Sequence, residues 1–182
     1  MINASGANTL NELFSRQKVS WNAGRYDKNK VQGLYAGMDE SNFKPHTVAS
    51  AIEISRPVNL PKALRALDTM NGVVREVDDE TILEWRAAVA RYGFGCEPAS
   101  AASVAGLNQL MKEGIISKND DVVCILTGHE LKDPNVTVKY HTGVDTKAVQ
   151  DQAPREKPHG KLSNPPIPVA DDLDAILNAL ER

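Results

Sequence analysis

Thr127 directly follows the apolar run Val122–Leu126 and is itself followed by Gly128 and His129. A continuous apolar run of this length reads as a strand buried on both faces. In open α/β sheets, ligands bind beyond the carboxyl ends of such strands. A hydroxyl there can hydrogen-bond a polar atom of a bound molecule, and a glycine lets backbone approach it. The same residues also fit a plain turn in which Thr127 caps local amides. A second stretch, Glu97, Pro98, Ala99, Ser100, Ala101 and Ala102, opens a helix with very small side chains. A flat ligand could lie close to such a helix start, and so could a tightly packed sheet.

Other reactive residue types are scattered. His46, His129, His141 and His159 have no partners at ligand or triad spacing, and His129 alone stands beside a candidate site. Cys96 and Cys124 form no C-x-x-C pair and no zinc pattern with histidine. Both lie among apolar residues, which predicts buried, reduced, inert thiols. Gly93-x-Gly95 lacks the third glycine of a dinucleotide fingerprint, and no phosphate-binding G-x-x-x-x-G-K-[ST] occurs.

The elements that must position these residues follow from local signals. Met1–Asn3 reads as a strand leading through a glycine turn into a helix at Thr9, with Asn8 or Thr9 as cap and Glu12 completing a capping box. Residues 15–45 show no sustained period and predict an irregular, exposed stretch that could hold one short helix. Leu60, Ala63, Leu64, Leu67 and Met70 form the apolar stripe of a helix that Asn59 caps and Asn71-Gly72 stops. Val73–Val77 reads as a short strand. Asp78 or Asp79 caps a helix over 80–91 that Gly93 ends. Pro98 opens the small-residue helix, and Gly114 closes it. Alternating strands and helices imply a parallel sheet covered by helices, an α/β fold. The expected division is a body over 1–138, an extended Pro-rich linker over 139–169, and a short amphipathic helix over 170–182. Leu173, Ile176, Leu177 and Leu180 stripe that last helix, which is expected to dock on the body or a partner, since lone short helices are marginal.

Composition narrows the classes of function. The chain has 182 residues, 21 basic and 24 acidic, with a net charge of −3. A mildly acidic chain without a basic block is a poor nucleic-acid binder. No apolar run approaches the roughly 20 residues that span a bilayer, so no membrane partner is expected. No basic flank precedes an apolar leader, and with reduced cysteines this points to the cytoplasm.

The segment from Gly95 to Leu107, followed by Val122–Pro134, resembles the C-terminal part of threonine synthase. Asn3–Leu10 is similar to the inner segment after that family's Gly-rich loop, and Pro61–Leu67 with Gly72–Val74 fits the stretch between. The resemblance covers roughly Ile2 to Val138; the tail from Lys139 to Arg182 resembles nothing placed. It implies a fold of the tryptophan-synthase-β type and pyridoxal 5′-phosphate as cofactor. The reaction it implies converts O-phosphohomoserine and water to threonine and phosphate. It implies that Thr127 hydrogen-bonds the cofactor's pyridine nitrogen, leaving that nitrogen largely unprotonated. Glu97, Ser100 and the rest of the helix start would line the cofactor's edge, with Gly128 and His129 beside Thr127. Glu130 departs from the glycine expected in the family's T-G-H-G-L-K-D-P run.

The resemblance also implies parts that this sequence does not carry. The family's Schiff-base lysine lies in an S-F-K-D-[RN]-like motif, and none of the twelve lysines here has that context. Lys132-Asp133 comes nearest but belongs to the other motif. The Gly-rich phosphate cradle is absent too. The expectation is therefore a C-terminal portion of the enzyme, inactive alone, whose partner is the N-terminal portion, and which could form homo-oligomers. The alternatives are another enzyme of the same fold, a threonine dehydratase or a cysteate synthase, and a non-catalytic partner-binding fragment. A dehydratase usually carries a Ser-Gly-Gly or Ser-Gly-Ala turn where Thr127–His129 stands, which favours the synthase.

Overall fold

The computed structural model describes residues 1–143 and 160–181. The chain divides into two compact units, Met1–Asp133 and Pro134–Arg182.

In the first unit, β1 (Ile2–Ala4) and β2 (Arg75–Val77) pair in parallel, with Ile2 opposite Arg75 and Ala4 opposite Val77. Parallel strands need a long crossover. Here it carries a helical segment, α1 (Thr9–Asn11) continued by a wide turn over Glu12–Arg16, then α2 (Lys28–Glu40) and α3 (Leu60–Thr69). After β2 come α4 (Asp79–Ala90) and α5 (Pro98–Lys112). The small side chains of α5 set its position. Ala101, Ala102 and Ala105 are buried with Ala4, Val77, Ile82 and Cys96 in one apolar cluster. A Cβ on Gly106 would lie 2.2 Å from Ile2 Cδ1, so this glycine is what lets α5 rest on β1. A second cluster joins Leu10 and Leu13 to Val31 of α2, Leu60, Leu64 and Leu67 of α3, and Val74.

Several local signals act as the sequence predicts. Asp78 caps α4 by accepting from Thr81 N at 2.7 Å. Asn71, Gly93 and Gly114 adopt the left-handed conformation just past α3, α4 and α5. Fold class follows the expectation, an α/β arrangement with a small parallel sheet.

Other expectations fail for stated reasons. No capping box forms at Thr9. The Asn8 and Asn11 amides donate instead to Glu76 on β2, at 2.7 and 2.9 Å, and Glu12 pairs with Arg16. Residues 28–40 make a thirteen-residue helix, not irregular chain. Asp27 caps it by accepting from Asn29 and Lys30 N. Its Gly33 and Gly37 lie on the exposed side and dilute the apolar pattern. Asn59 precedes α3 without a side-chain cap bond, and Met70 of the expected stripe is exposed.

The largest difference is Val122–Leu126. Among the described residues it joins no sheet, and Val123 and Ile125 are 88% and 70% exposed. An apolar run shows that a segment suits a covered strand; it does not supply the neighbours that cover it. Cys124, on this run, is accordingly half-buried, whereas Cys96 is buried; both are free thiols.

The second unit holds α6 (Pro134–Thr142) and α7 (Leu173–Leu180). Tyr140 is buried, and its hydroxyl accepts from Leu162 N at 3.1 Å. His141 Nδ1 accepts from Asn164 N at 2.8 Å. Asp172 caps α7 through Ala175 N. The stripe of α7, Leu173, Ile176, Leu177 and Leu180, is exposed. Within the Pro-rich stretch, Pro154 and Pro158 lie outside the described residues, as does His159.

Leu64 is fully buried in the second cluster of the first unit. Leu64→Ala should lower unfolding free energy by about 2–5 kcal/mol, seen as an earlier midpoint in urea unfolding followed by circular dichroism.

Candidate functional site

The start of α5 is tied to the turn after the apolar run. Pro98 occupies the first turn, where its missing N–H costs nothing. Glu97 N donates to Gly128 O at 2.9 Å. Ser100, in the first turn of the helix and buried, reaches back with its hydroxyl. Ser100 Oγ accepts from Thr127 N at 2.8 Å and from Gly128 N at 3.3 Å, and lies 3.1 Å from Thr127 Oγ1. Two sequence-distant segments are thereby held as one structure.

Glu97 sits at its centre and is only 4% exposed. Thr127 Oγ1 donates to its Oε1 at 3.0 Å, and Lys132 Nζ makes a short ion pair with its Oε2. The Lys132 hydrogen bond holds the Glu97 carboxyl below the usual carboxylate range, against burial, which pushes the other way; the Thr127 bond assists Lys132. The same pair raises Lys132. Gly128 is required by this carboxylate: a Cβ there would lie 2.4 Å from Glu97 Cδ. Its missing side chain makes room for Glu97.

Arg86 of α4 braces the surroundings. It is buried, and it donates to Cys96 O at 2.7 Å and to Glu130 O at 3.2 Å. Glu130 does not point away into solvent; its carboxyl fills the space a Gly95 Cβ would occupy. Burial pushes the Cys96 thiol up, which leaves it a poor nucleophile.

The five residues singled out in the sequence fall in one place. Glu97, Ser100, Thr127 and Gly128 share one hydrogen-bond network, with Thr127 exposed at its surface. His129 is adjacent and exposed, and its Nδ1 accepts from Leu131 N to cap a short turn over Glu130–Lys132. Sequence reasoning missed Lys132 as the partner of Glu97, and missed Arg86 altogether. The signal for Lys132 was weak: a cation five residues after Thr127, with nothing local to join it to a glutamate 35 residues upstream.

Residues 4–128 match the family described as pyridoxal-phosphate dependent enzyme. The chain belongs to that family. Its relatives include the threonine synthase of Methanocaldococcus jannaschii, 49% identical over 96 residues, which are 52% of this chain and 24% of that protein. The threonine synthase of Methanosarcina acetivorans is 52% identical over 95 residues, covering 52% of this chain and 24% of that protein. The chloroplastic threonine synthase 2 of Arabidopsis thaliana is 31% identical over 136 residues, covering 75% of this chain and 24% of that protein. The chain spans about a quarter of the length of these curated relatives. The family's fold is of the tryptophan-synthase-β type, and its cofactor is pyridoxal phosphate. Among the described residues, no helix is long and apolar enough to cross a membrane.

The donor set fits one end of that cofactor. Thr127 presents a hydroxyl suited to a pyridine nitrogen, and the small residues Ala99–Ala102 behind it add little bulk. The cofactor's phosphate and aldehyde ends call for a glycine-rich loop and a lysine, and the sequence carries neither in the family's context.

Two outcomes test this geometry. A carboxyl held low by its partner stabilises the fold above its unfolded value and loses that contribution as pH falls through its lower folded value. The stability difference between wild type and Glu97→Gln should thus be full near neutrality and shrink in acid, below the ordinary glutamate value of about 4.3, in urea titrations across pH. Gly128→Ala should force Glu97 out of its place and lower stability by about 1–3 kcal/mol, the cost of overpacking, read in the same titrations.

Proposed function

We propose that these residues form the ring-nitrogen side of a threonine synthase active site, in an enzyme that converts O-phosphohomoserine and water to threonine and phosphate in the cytoplasm. The observation that carries this is Thr127, its hydroxyl fixed by Ser100 and Glu97 at the end of the Val122–Leu126 run. The 49% and 52% identity to two threonine synthases supports this substrate over other reactions on the fold.

Bound there, pyridoxal phosphate would supply the electron sink that lets phosphate leave the γ carbon and water add at the β carbon. Thr127 meets the ring nitrogen. Gly128 and His129 flank it, and the Ala99–Ala102 helix start borders the ring. Glu97 and Ser100, both buried, hold Thr127 in place through their hydrogen bonds to its hydroxyl. The Schiff-base lysine and phosphate cradle come from polypeptide outside these 182 residues, and the isolated chain is inactive.

The test is phosphate release from O-phosphohomoserine in the presence of pyridoxal phosphate. The purified chain should release none. The complex recovered from cells with the lysine-bearing polypeptide should release phosphate and form threonine. Turnover by the chain alone would overturn the division of labour. Formation of 2-oxobutanoate from threonine by the complex, or of cysteate from phosphoserine and sulfite, in place of threonine would overturn the substrate. In the active complex, Thr127→Val should lower kcat/KM about 5- to 150-fold, the equivalent of about 1–3 kcal/mol for a lost buried hydrogen bond.

A further inference from the structure

Basic residues are not spread evenly along this chain. Residues 16–30 hold five of them and one acid, in a chain whose net charge is −3. Three of the five, Lys18, Arg25 and Lys30, line a cavity of about 560 Å³ together with Ser20, Asn22 and Tyr26. Small-molecule sites typically hold roughly 300–1,000 Å³. The cavity shares no residue with the network of Glu97 and Thr127. Its walls are fixed by local structure. Lys18 Nζ donates to Ser15 O at 2.6 Å, and Lys30 Nζ to Gln17 O at 2.7 Å. An ammonium has three hydrogens, so each keeps two for a ligand. Asn22 and Arg25 exchange both backbone bonds, at 2.8 and 2.9 Å, across Ala23 and Gly24. Both central residues have positive φ, the geometry of a tight hairpin turn. Arg25 therefore leaves a closed corner of the chain. The Tyr26 ring stacks on Trp21 with centroids 6.2 Å apart, which supplies a flat wall.

Among the described residues, Lys18, Arg25 and Lys30 make no ion pair. Asp27 is the one acid on the wall, and its Oδ1 is engaged as the cap of α2. A cleft lined by one sign of charge concentrates the opposite ion. A guanidinium fork grips two oxygens of a phosphate, and ammonium donors suit the third. A monocarboxylate has too few oxygens and too little charge to answer three cations. We propose that this cavity binds a small phosphomonoester, its phosphate held by Lys18, Arg25 and Lys30 and its organic part laid against Tyr26.

The experiment titrates phenyl phosphate and inorganic phosphate separately into the purified full chain, followed by calorimetry and phosphorus NMR. Phenyl phosphate should bind saturably, more tightly than inorganic phosphate, and more weakly as salt rises. Arg25→Gln and Lys30→Gln should each weaken it about tenfold, as loss of a hydrogen bond to a charged group predicts. Thr127→Val should leave it unchanged. Absence of saturable binding to the wild-type chain overturns the proposal without recourse to any variant. Undiminished binding by folded Arg25→Gln and Lys30→Gln overturns it as well. Equal affinity for the two probes overturns the ester and leaves the cavity to free phosphate. Loss of binding in Thr127→Val overturns a separate site, since the probe would then occupy the cofactor's place.

Discussion

A carboxylate removed from water is costly unless it is paired and hydrogen-bonded. Glu97 is such a group, and the site is organised around meeting its needs. Lys132 supplies the charge, Thr127 a hydrogen bond, and Gly128 the space. Each of these partners lies in the turn after the apolar run, whereas Glu97 lies at the head of α5. Satisfying one buried charge therefore fixes how two distant parts of the chain meet. The position of Thr127 is a by-product of that fixation, which is why a surface-exposed hydroxyl can be held in a defined orientation.

The helix that carries Glu97 is itself located by small residues. Alanines and Gly106 let α5 lie directly on the two strands, with α4 alongside. Arg86 reaches from α4 to the backbone on both sides of the site, at Cys96 and Glu130. The scaffold is close-packed where it must hold position. Around Val122–Leu126 it is uncovered, and there the apolar side chains meet solvent.

Much of this was legible, and the division follows range. Signals that act within one turn of chain, such as the Asp78 cap, Pro98 opening α5, and the left-handed residues at Asn71, Gly93 and Gly114, predicted element ends because their physics is local. The residues near Thr127 and the start of α5 were legible as chemistry because their types are unusual for their positions. Failures came where a distant group won. Glu76 took the Asn8 amide and Ser55 O the Thr9 hydroxyl, so the local capping box lost both candidate caps. The Lys132–Glu97 pair spans 35 residues and has no periodic signature. Gly33 and Gly37 hid α2 because a helix needs its buried stripe to be apolar, not its solvent side. Val122–Leu126 shows the opposite limit, since a run of side chains states a preference for cover without naming what provides it.

The parallel pairing of β1 with β2 has a consequence for synthesis. Ile2 lies opposite Arg75, a separation of 73 residues. At about 5–20 residues per second, the ribosome needs about 4–15 s after making β1 before the partner strand exists. During that interval Ile2 and Ala4 lack their β2 partner, and α5, which covers them, is made later still. Pairing of β1 with β2 is thus deferred until the long crossover between them has been made.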